Sequence, residues 1–140
     1  MGQAVAFEQT VHTFQIDINR HVSNIVYVQW LEIGRTRLLE AAGLPVETMQ
    51  DRGYLAILVE TAIKHIEPLF FPDTVTVEVW VSELTHVSAW MEFRILSNRT
   101  GKVAARARQR AVFVEQETNR PYRLDPADRA AFERVLCRSP

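Results

Sequence analysis

At 140 residues, 47% of them hydrophobic and 24% charged, the chain is long enough to bury one substantial core, and its composition is neither fibrous nor disordered. A formal net charge of -1 gives no overall basic balance to draw in nucleic acid. No apolar run reaches the roughly 18 residues that a membrane-spanning helix needs, so no membrane partner is expected. The segment MGQAVAFEQT has neither a basic n-region nor an apolar h-region, so no secretory signal is expected there. Ala6 stands where the myristoylation pattern wants Ser or Thr. The single cysteine, Cys137, has no partner for an intrachain disulfide, which fits a reducing, cytoplasmic setting. Charge is unevenly spread: from Arg99 to Arg138 there are ten Lys/Arg against five Asp/Glu.

Residues 4–16 alternate loosely through Val5, Phe7, Val11, Phe14 and Ile16, which predicts a first strand. Asp17 to Val22 reads as a loop. Ser23 is a good N-cap, and the pattern predicts a helix from there to about Ala42. Tyr27, Leu31, Gly34, Leu38 and Ala41 share one face of it. Trp30, Ile33 and Leu39 widen that face, and Gln29, Glu32, Thr36 and Glu40 form a narrow polar stripe. A helix apolar around most of its circumference is expected to be largely buried and wrapped by a sheet. Gly34 in mid-helix costs about 1 kcal/mol against Ala, which points to close packing there. Gly43-Leu44-Pro45 is a stop signal.

Val46 to Arg52 predicts a short helical turn. Tyr54 to Ile66 is apolar on both faces, the pattern of a central strand. Asp73 to Glu83 alternates, with Val75, Val77, Val79 and Val81 on one face. Ser88 to Leu96 alternates again, and Asn98-Arg99-Thr100-Gly101 is a hairpin turn. Lys102 to Val114 predicts a long strand with small residues, Ala105, Ala107 and Ala111, on one face and Arg106, Arg108 and Arg110 on the other. Asp125 to Leu136 predicts a C-terminal helix with Asp125 as cap and Pro126 in its first turn. One long helix followed by runs of antiparallel strands means an α+β class and a single domain over 1–140.

The densest group of chemically able side chains is Asp17, Asn19, Arg20, His21, Ser23 and Asn24, just before the long helix. A helix N-terminus carries unsatisfied N–H groups and about half a positive charge, which can stabilise a developing oxyanion. Asp17 folded back beside it could serve as general base or nucleophile. The plainer reading is that Asp17 and Asn19 form turns and His21 is a packed or exposed loop residue.

The spacing Asp17-x-Asn19-x-His21-Val22-x-Asn24-x-x-Tyr27-x-x-Trp30-Leu31-Glu32-x-x-Arg35 resembles the hotdog-fold thioesterases of the 4-hydroxybenzoyl-CoA thioesterase type. Many of these carry D-x-D-x-x-G-H-V-N-N-x-x-Y-x-x-W-L-E-x-x-R at that place. The resemblance extends through Val59-Glu60-Thr61, Pro68, Asp73–Val81, Gly101 and Arg120-Pro121. It implies a hotdog fold, an antiparallel sheet wrapped around the helix. It implies hydrolysis of an acyl thioester, usually acyl-CoA, with no metal or redox cofactor beyond the coenzyme A of the substrate. Asp17 matches the catalytic Asp. The backbone N–H groups of Ser23 and Asn24 match the groups that polarise the carbonyl. His21 matches a residue that shapes the loop, and Tyr27 a position in the core or the acyl-pocket wall. Gln15 replaces the first Asp of the pattern, Ser23 the first Asn, and Arg20 a Gly. A non-glycine at position 20 predicts strain or a differently shaped loop.

Arg106, Arg108 and Arg110 are either a solvated outer face or a site for the phosphates of coenzyme A. His65 and Glu60 share a strand, where buried pairing accounts for both, although Glu60 is also a candidate substrate contact. Trp80 and Trp90 on outward faces suggest a covered surface, hence a homodimer or homotetramer. An acyl-CoA thioesterase is the expected function. The alternatives are hydrolysis of an acyl group on its carrier protein and binding of acyl-CoA without cleavage.

Overall fold

The computed structural model describes residues 2–138. The long helix α1 runs Asn24–Ala42. Ser23 caps it with extended backbone, its hydroxyl accepting the Ile25 N–H at 3.4 Å. Gly43 closes it in the left-handed conformation at φ 79°, its N–H donating to the Glu40 and Leu39 carbonyls. Val26, Tyr27, Trp30, Leu31, Gly34, Leu38 and Ala42 form the buried face. The sheet covers only that side. Ile25 stays 68% exposed and Val28 38% exposed, so the expectation of a helix buried around most of its circumference is corrected.

Gly34 is where the helix comes closest to the sheet. A Cβ at this position would lie 2.9 Å from Cε2 of the Phe93 ring, itself fully buried. Gly34→Ala therefore sets a helix-propensity gain of about 1 kcal/mol against overpacking of about 1–3 kcal/mol. The variant is expected to be less stable than the parent by about 1 kcal/mol in urea titration; a gain in stability would show that Phe93 yields freely.

Five strands form one antiparallel sheet in the order β1-β3-β4-β5-β2. They are β1 (Val5–Thr10), β2 (Tyr54–His65), β3 (Thr74–Leu84), β4 (Ser88–Ser97) and β5 (Val103–Glu115). A short helix α2 (Val46–Asp51) follows α1, and α3 (Pro126–Glu133) ends the fold. The first strand stops at Thr10, short of the expected 4–16. A 3₁₀ turn at Thr13–Gln15 follows, closed by the Gln15 side chain accepting the His12 N–H at 2.8 Å. Alternation places Val75, Val77, Val79 and Val81, then Ala89, Met91, Phe93 and Ile95, then Ala105, Ala107, Gln109 and Ala111 on the helix side. The alanine row leaves room for the helix.

Two expectations about the sheet are corrected. β2 is an edge strand, not a central one, and its apolar residues Ile57 and Val59 are exposed. Trp80 is buried, not an exposed aromatic, and Trp90 is half-covered by the Arg108 guanidinium, 4.2 Å above its ring. β2 also carries a bulge between Leu58 and Glu60. Before it Leu58 lies opposite Ala111; after it Thr61, Ile63 and His65 lie opposite Gln109, Ala107 and Ala105. One extra residue thus turns His65 toward the helix.

Helix α3 is capped by Asp125, whose carboxylate accepts the Asp128 N–H at 2.8 Å. Asp128 is buried; it accepts from the Tyr54 hydroxyl at 2.7 Å and pairs with Arg52. This ties α3 to the start of β2. None of the helices among the described residues is long and apolar enough to cross a membrane.

Candidate active site

The loop before α1 is a tight hairpin. Ile16 and Val22 bridge in antiparallel fashion. Inside that bridge the Asp17 N–H donates to the His21 carbonyl at 2.9 Å, and the Arg20 N–H donates to the Asp17 carbonyl at 3.0 Å. Closing so short a loop needs a left-handed residue, and Arg20 supplies it at φ 67°. The loop thus keeps its tight shape with arginine in place of glycine.

Asp17 is half-buried at the base of this hairpin. Its Oδ1 accepts the Asn19 N–H at 2.9 Å and, at 3.4 Å, the His21 N–H. Among the described residues Oδ2 has no hydrogen-bond partner, so one carboxylate oxygen fixes the loop and the other is left without a bond. His21 contributes through its backbone on both sides of Asp17, and its ring packs edge-on against Phe70 at 5.3 Å. The Val22 N–H donates to the Leu69 carbonyl at 2.9 Å, which anchors the loop to the segment after β2.

The two expected backbone donors differ. The Ser23 N–H donates to the Gln15 carbonyl at 2.9 Å and is spent. The Asn24 N–H has no partner among the described residues, and it is the first residue of α1. Asn24 is held from its side chain: Oδ1 lies 3.0 Å from Nε2 of His65. The His65 ring in turn stands edge-on to Tyr27, centroids 4.7 Å apart. Tyr27 is buried, and its hydroxyl is pushed up to about 12, by desolvation first and also by the nearby Asp17 charge, against the pull of a backbone hydrogen bond at Leu69. Its phenol therefore keeps its proton, and its ring forms part of the cleft wall.

These groups line one open cleft of about 390 Å³, formed by Asp17, His21, Asn24 and Tyr27 on one side and His65 and Glu67 on the other. Asp17, His21, Asn24 and Tyr27 are therefore brought together, with Ser23 just behind as the cap. His65 joins them although its sequence context offers only pairing on a strand. The bulge that aims it, and the fold that sets it beside Asn24, leave no mark in residue spacing.

The remaining candidates lie elsewhere. Glu60, Arg106, Arg108 and Arg110 are on the outer face of the sheet, opposite the side that carries His65. Arg106 sits between Arg94 and Lys64, Arg108 between Glu92 and Ala62, and Arg110 between Trp90 and Glu60. Lys64, Trp80, Glu92, Arg106 and Arg108 line an outer groove of about 300 Å³, which Arg110 does not reach. A separate apolar cavity of about 190 Å³ lies under the second half of α1, between Leu38, Met49, Met91 and Phe113.

The comparisons with known proteins give the family and the fold. Residues 11–132 match the model of the thioesterase-like superfamily, a span from before the Asp17 hairpin to α3. The chain belongs to the thioesterase-like superfamily. Thioester hydrolysis, the expected class of reaction, is the one that gives this family its name. A putative acyl-CoA thioesterase of Bacillus subtilis, YneP, is 26% identical over 115 residues, which cover 82% of this chain and 80% of that protein. Among solved structures, a DHNA-CoA thioesterase from Staphylococcus aureus superposes with a TM-score of 0.85 at 19% identity, over 94% of this chain and 90% of that one. A hypothetical Staphylococcus aureus protein in complex with CoA superposes with a TM-score of 0.86 at 17% identity, over 98% and 88%. At those identities the superpositions establish the fold. It is the expected hotdog: a five-stranded antiparallel sheet curled around one long helix, which in this thioesterase carries the cleft at its N-terminus.

Proposed function

We propose that this thioesterase hydrolyses an acyl-CoA to free acid and CoA, with Asp17 as the catalytic carboxylate and the N-terminus of α1 as the oxyanion site. The observation that carries this reading is that one cleft is lined by both Asp17 and Asn24, whose carboxylate Oδ2 and helix N–H have no partner among the described residues. The thioester carbonyl oxygen takes the Asn24 N–H and the positive end of the helix dipole, which draws electrons off the carbonyl carbon. Asp17 then either removes a proton from an attacking water or attacks the carbon itself. In the first route the C–O bond to water forms, the C–S bond breaks, and the thiolate of CoA leaves to be protonated. In the second the acyl group passes to Asp17 and water cleaves the resulting anhydride. Both routes end in acid and thiol and need no metal or redox cofactor.

His21 shapes the loop through its backbone, and Tyr27 walls the cleft. On this reading Arg106 and Arg108, which share the outer groove with Lys64, take the 3′-phosphate of coenzyme A; Arg110 and Glu60, paired beside that groove but not lining it, serve as its border. The Arg106→Ala/Arg108→Ala double variant is expected to raise KM for acyl-CoA about tenfold with kcat unchanged, at about 1.5 kcal/mol lost in ground and transition state alike. An unchanged KM would return both arginines to the solvated surface. The free β2 edge with exposed Ile57 and Val59, together with Ile25 and Val28 on α1, supports a homodimer or a homotetramer built from it. Buried, unpaired Cys137 supports a cytoplasmic setting.

The test is a thiol-release assay over acyl-CoAs of varied length and aromaticity. Turnover is expected with at least one of them. Acyl-CoA binding with no thiol release would replace hydrolysis with a binding role.

A further inference from the structure

Arg20 sits at a position that arginine should avoid. Left-handed backbone strains an L-residue, and only glycine, with asparagine and aspartate as lesser exceptions, visits it freely. The other non-glycine residue in this region, Asn119, is of the tolerant kind; Arg20 is not. The hairpin it closes is needed to hold Asp17, and glycine would close it without strain. Yet the chain keeps a long cation there. The side chain is exposed and, among the described residues, makes no ion pair and no hydrogen bond. So the fold gains nothing from the guanidinium that would offset the strain. Strain that the fold does not use points to a use outside the fold.

The position limits what that use can be. Arg20 lies between Asp17 and His21, both of which line the cleft. Its N–H is bonded to the Asp17 carbonyl, so its Cα is fixed beside the catalytic loop. A guanidinium there, on an exposed side chain three residues from Asp17 and next to His21, suits an anion with paired oxygens. A substrate whose thioester carbon is at Asp17 carries its nearest phosphates one pantetheine arm away, as the pyrophosphate; the 3′-phosphate lies beyond the adenosine.

We propose that Arg20 is a substrate-binding residue that clasps the pyrophosphate of coenzyme A, and that binding energy is what keeps arginine at a glycine position. This rests on the acyl-CoA reading above. It predicts an opposition between stability and affinity at a single residue.

The experiment measures calorimetric Kd for CoA and for 3′-dephospho-CoA, and Tm, in four proteins: the parent, Arg20→Gly, Arg20→Gln and Arg20→Lys. Glycine removes both strain and charge, glutamine removes charge alone, and lysine keeps both. Arg20→Gly is expected to melt about 3–5 °C higher, and Arg20→Gln is not. Both are expected to bind CoA and dephospho-CoA about fivefold or more weakly at low salt, and Arg20→Lys to stay within about threefold of the parent. The difference should vanish at 1 M salt, where the Debye length is about 3 Å. Parental affinity in Arg20→Gly and Arg20→Gln would overturn the proposal. So would weakening that survives high salt, which would report loop shape, or weakening toward CoA but not dephospho-CoA. Because the readout is binding, a parent that binds CoA through Arg20 but releases no thiol would refute the hydrolase reading alone. A parent that turns over acyl-CoA with Arg20 irrelevant would refute this inference alone.

Discussion

Asp128→Ala is expected to destabilise the protein by about 2–4 kcal/mol, the cost of removing a buried carboxylate that satisfies the Tyr54 hydroxyl and pairs with the half-exposed Arg52. Asp128 is 1% exposed and serves three groups. It accepts the Tyr54 hydroxyl at 2.7 Å, pairs with Arg52, and gives its own N–H to Asp125 at 2.8 Å. Alanine leaves the Tyr54 hydroxyl buried and unsatisfied, at about 1–3 kcal/mol, and strands Arg52 at the edge of the hole. Tyr54 cannot turn away, because its ring is stacked on Tyr122 at 4.3 Å and stands against Phe113 at 6.1 Å. A domain of this size has about 5–15 kcal/mol in all, so the loss is a large fraction of it. Tyr54→Phe removes one hydrogen bond to a charged group and should lose about 1.5–3 kcal/mol. Chemical denaturation of both variants checks the order. If Asp128→Ala were as stable as the parent, α3 would be held by its apolar face alone.

Asp17→Asn should have the largest effect on activity. Asparagine keeps an oxygen that can accept the Asn19 N–H, so the hairpin is expected to close as before. It loses the charge and the basicity of the second oxygen. Loss of a positioned general base lowers kcat by about 10²–10⁴, which is about 3–5 kcal/mol of barrier, and loss of a nucleophile lowers it at least as far. KM should change little, because Asp17 acts on the reacting atom and not on the coenzyme. The helix N-terminus remains in the variant, and a residual rate from carbonyl polarisation is expected.

How much of this was legible in the chain depends on the range over which each signal acts. Ser23 and Gly43 mark both ends of α1 because capping is local chemistry, and both ends fall where the pattern puts them. Gly34 and the alanines at 105, 107 and 111 announce a close helix–sheet approach by size alone, and Phe93 is what Gly34 approaches. Arg20 was legible as a departure from glycine, and its backbone is left-handed, as the departure requires. What the chain hid is non-local. Apolar residues on both faces of 54–66 read as a central strand, because an edge strand that exposes Ile57 and Val59 has the same apolar composition as a covered one. The bulge near Val59 has no motif, so the face of His65 could not be read from alternation. Ser23 and Asn24 looked alike as donors until the Gln15 carbonyl, eight residues back, was found to occupy one of them. Of the three arginines at period two, register with Glu92, Arg94 and Lys64 sorts Arg106 and Arg108 from Arg110, and register is a property of pairs of strands.

The central claim is that the free oxygen of Asp17 and the free N–H of Asn24 form a hydrolytic site. The most direct test is continuous thiol release from the acyl-CoA that the parent cleaves fastest, with parent and Asp17→Asn side by side at saturating substrate. Thermal melts run on the same preparations control for folding. Equal melts and a kcat at least about 100-fold lower in the variant are expected. Equal melts with an undiminished kcat would contradict the claim, and would place the chemistry on some group other than Asp17.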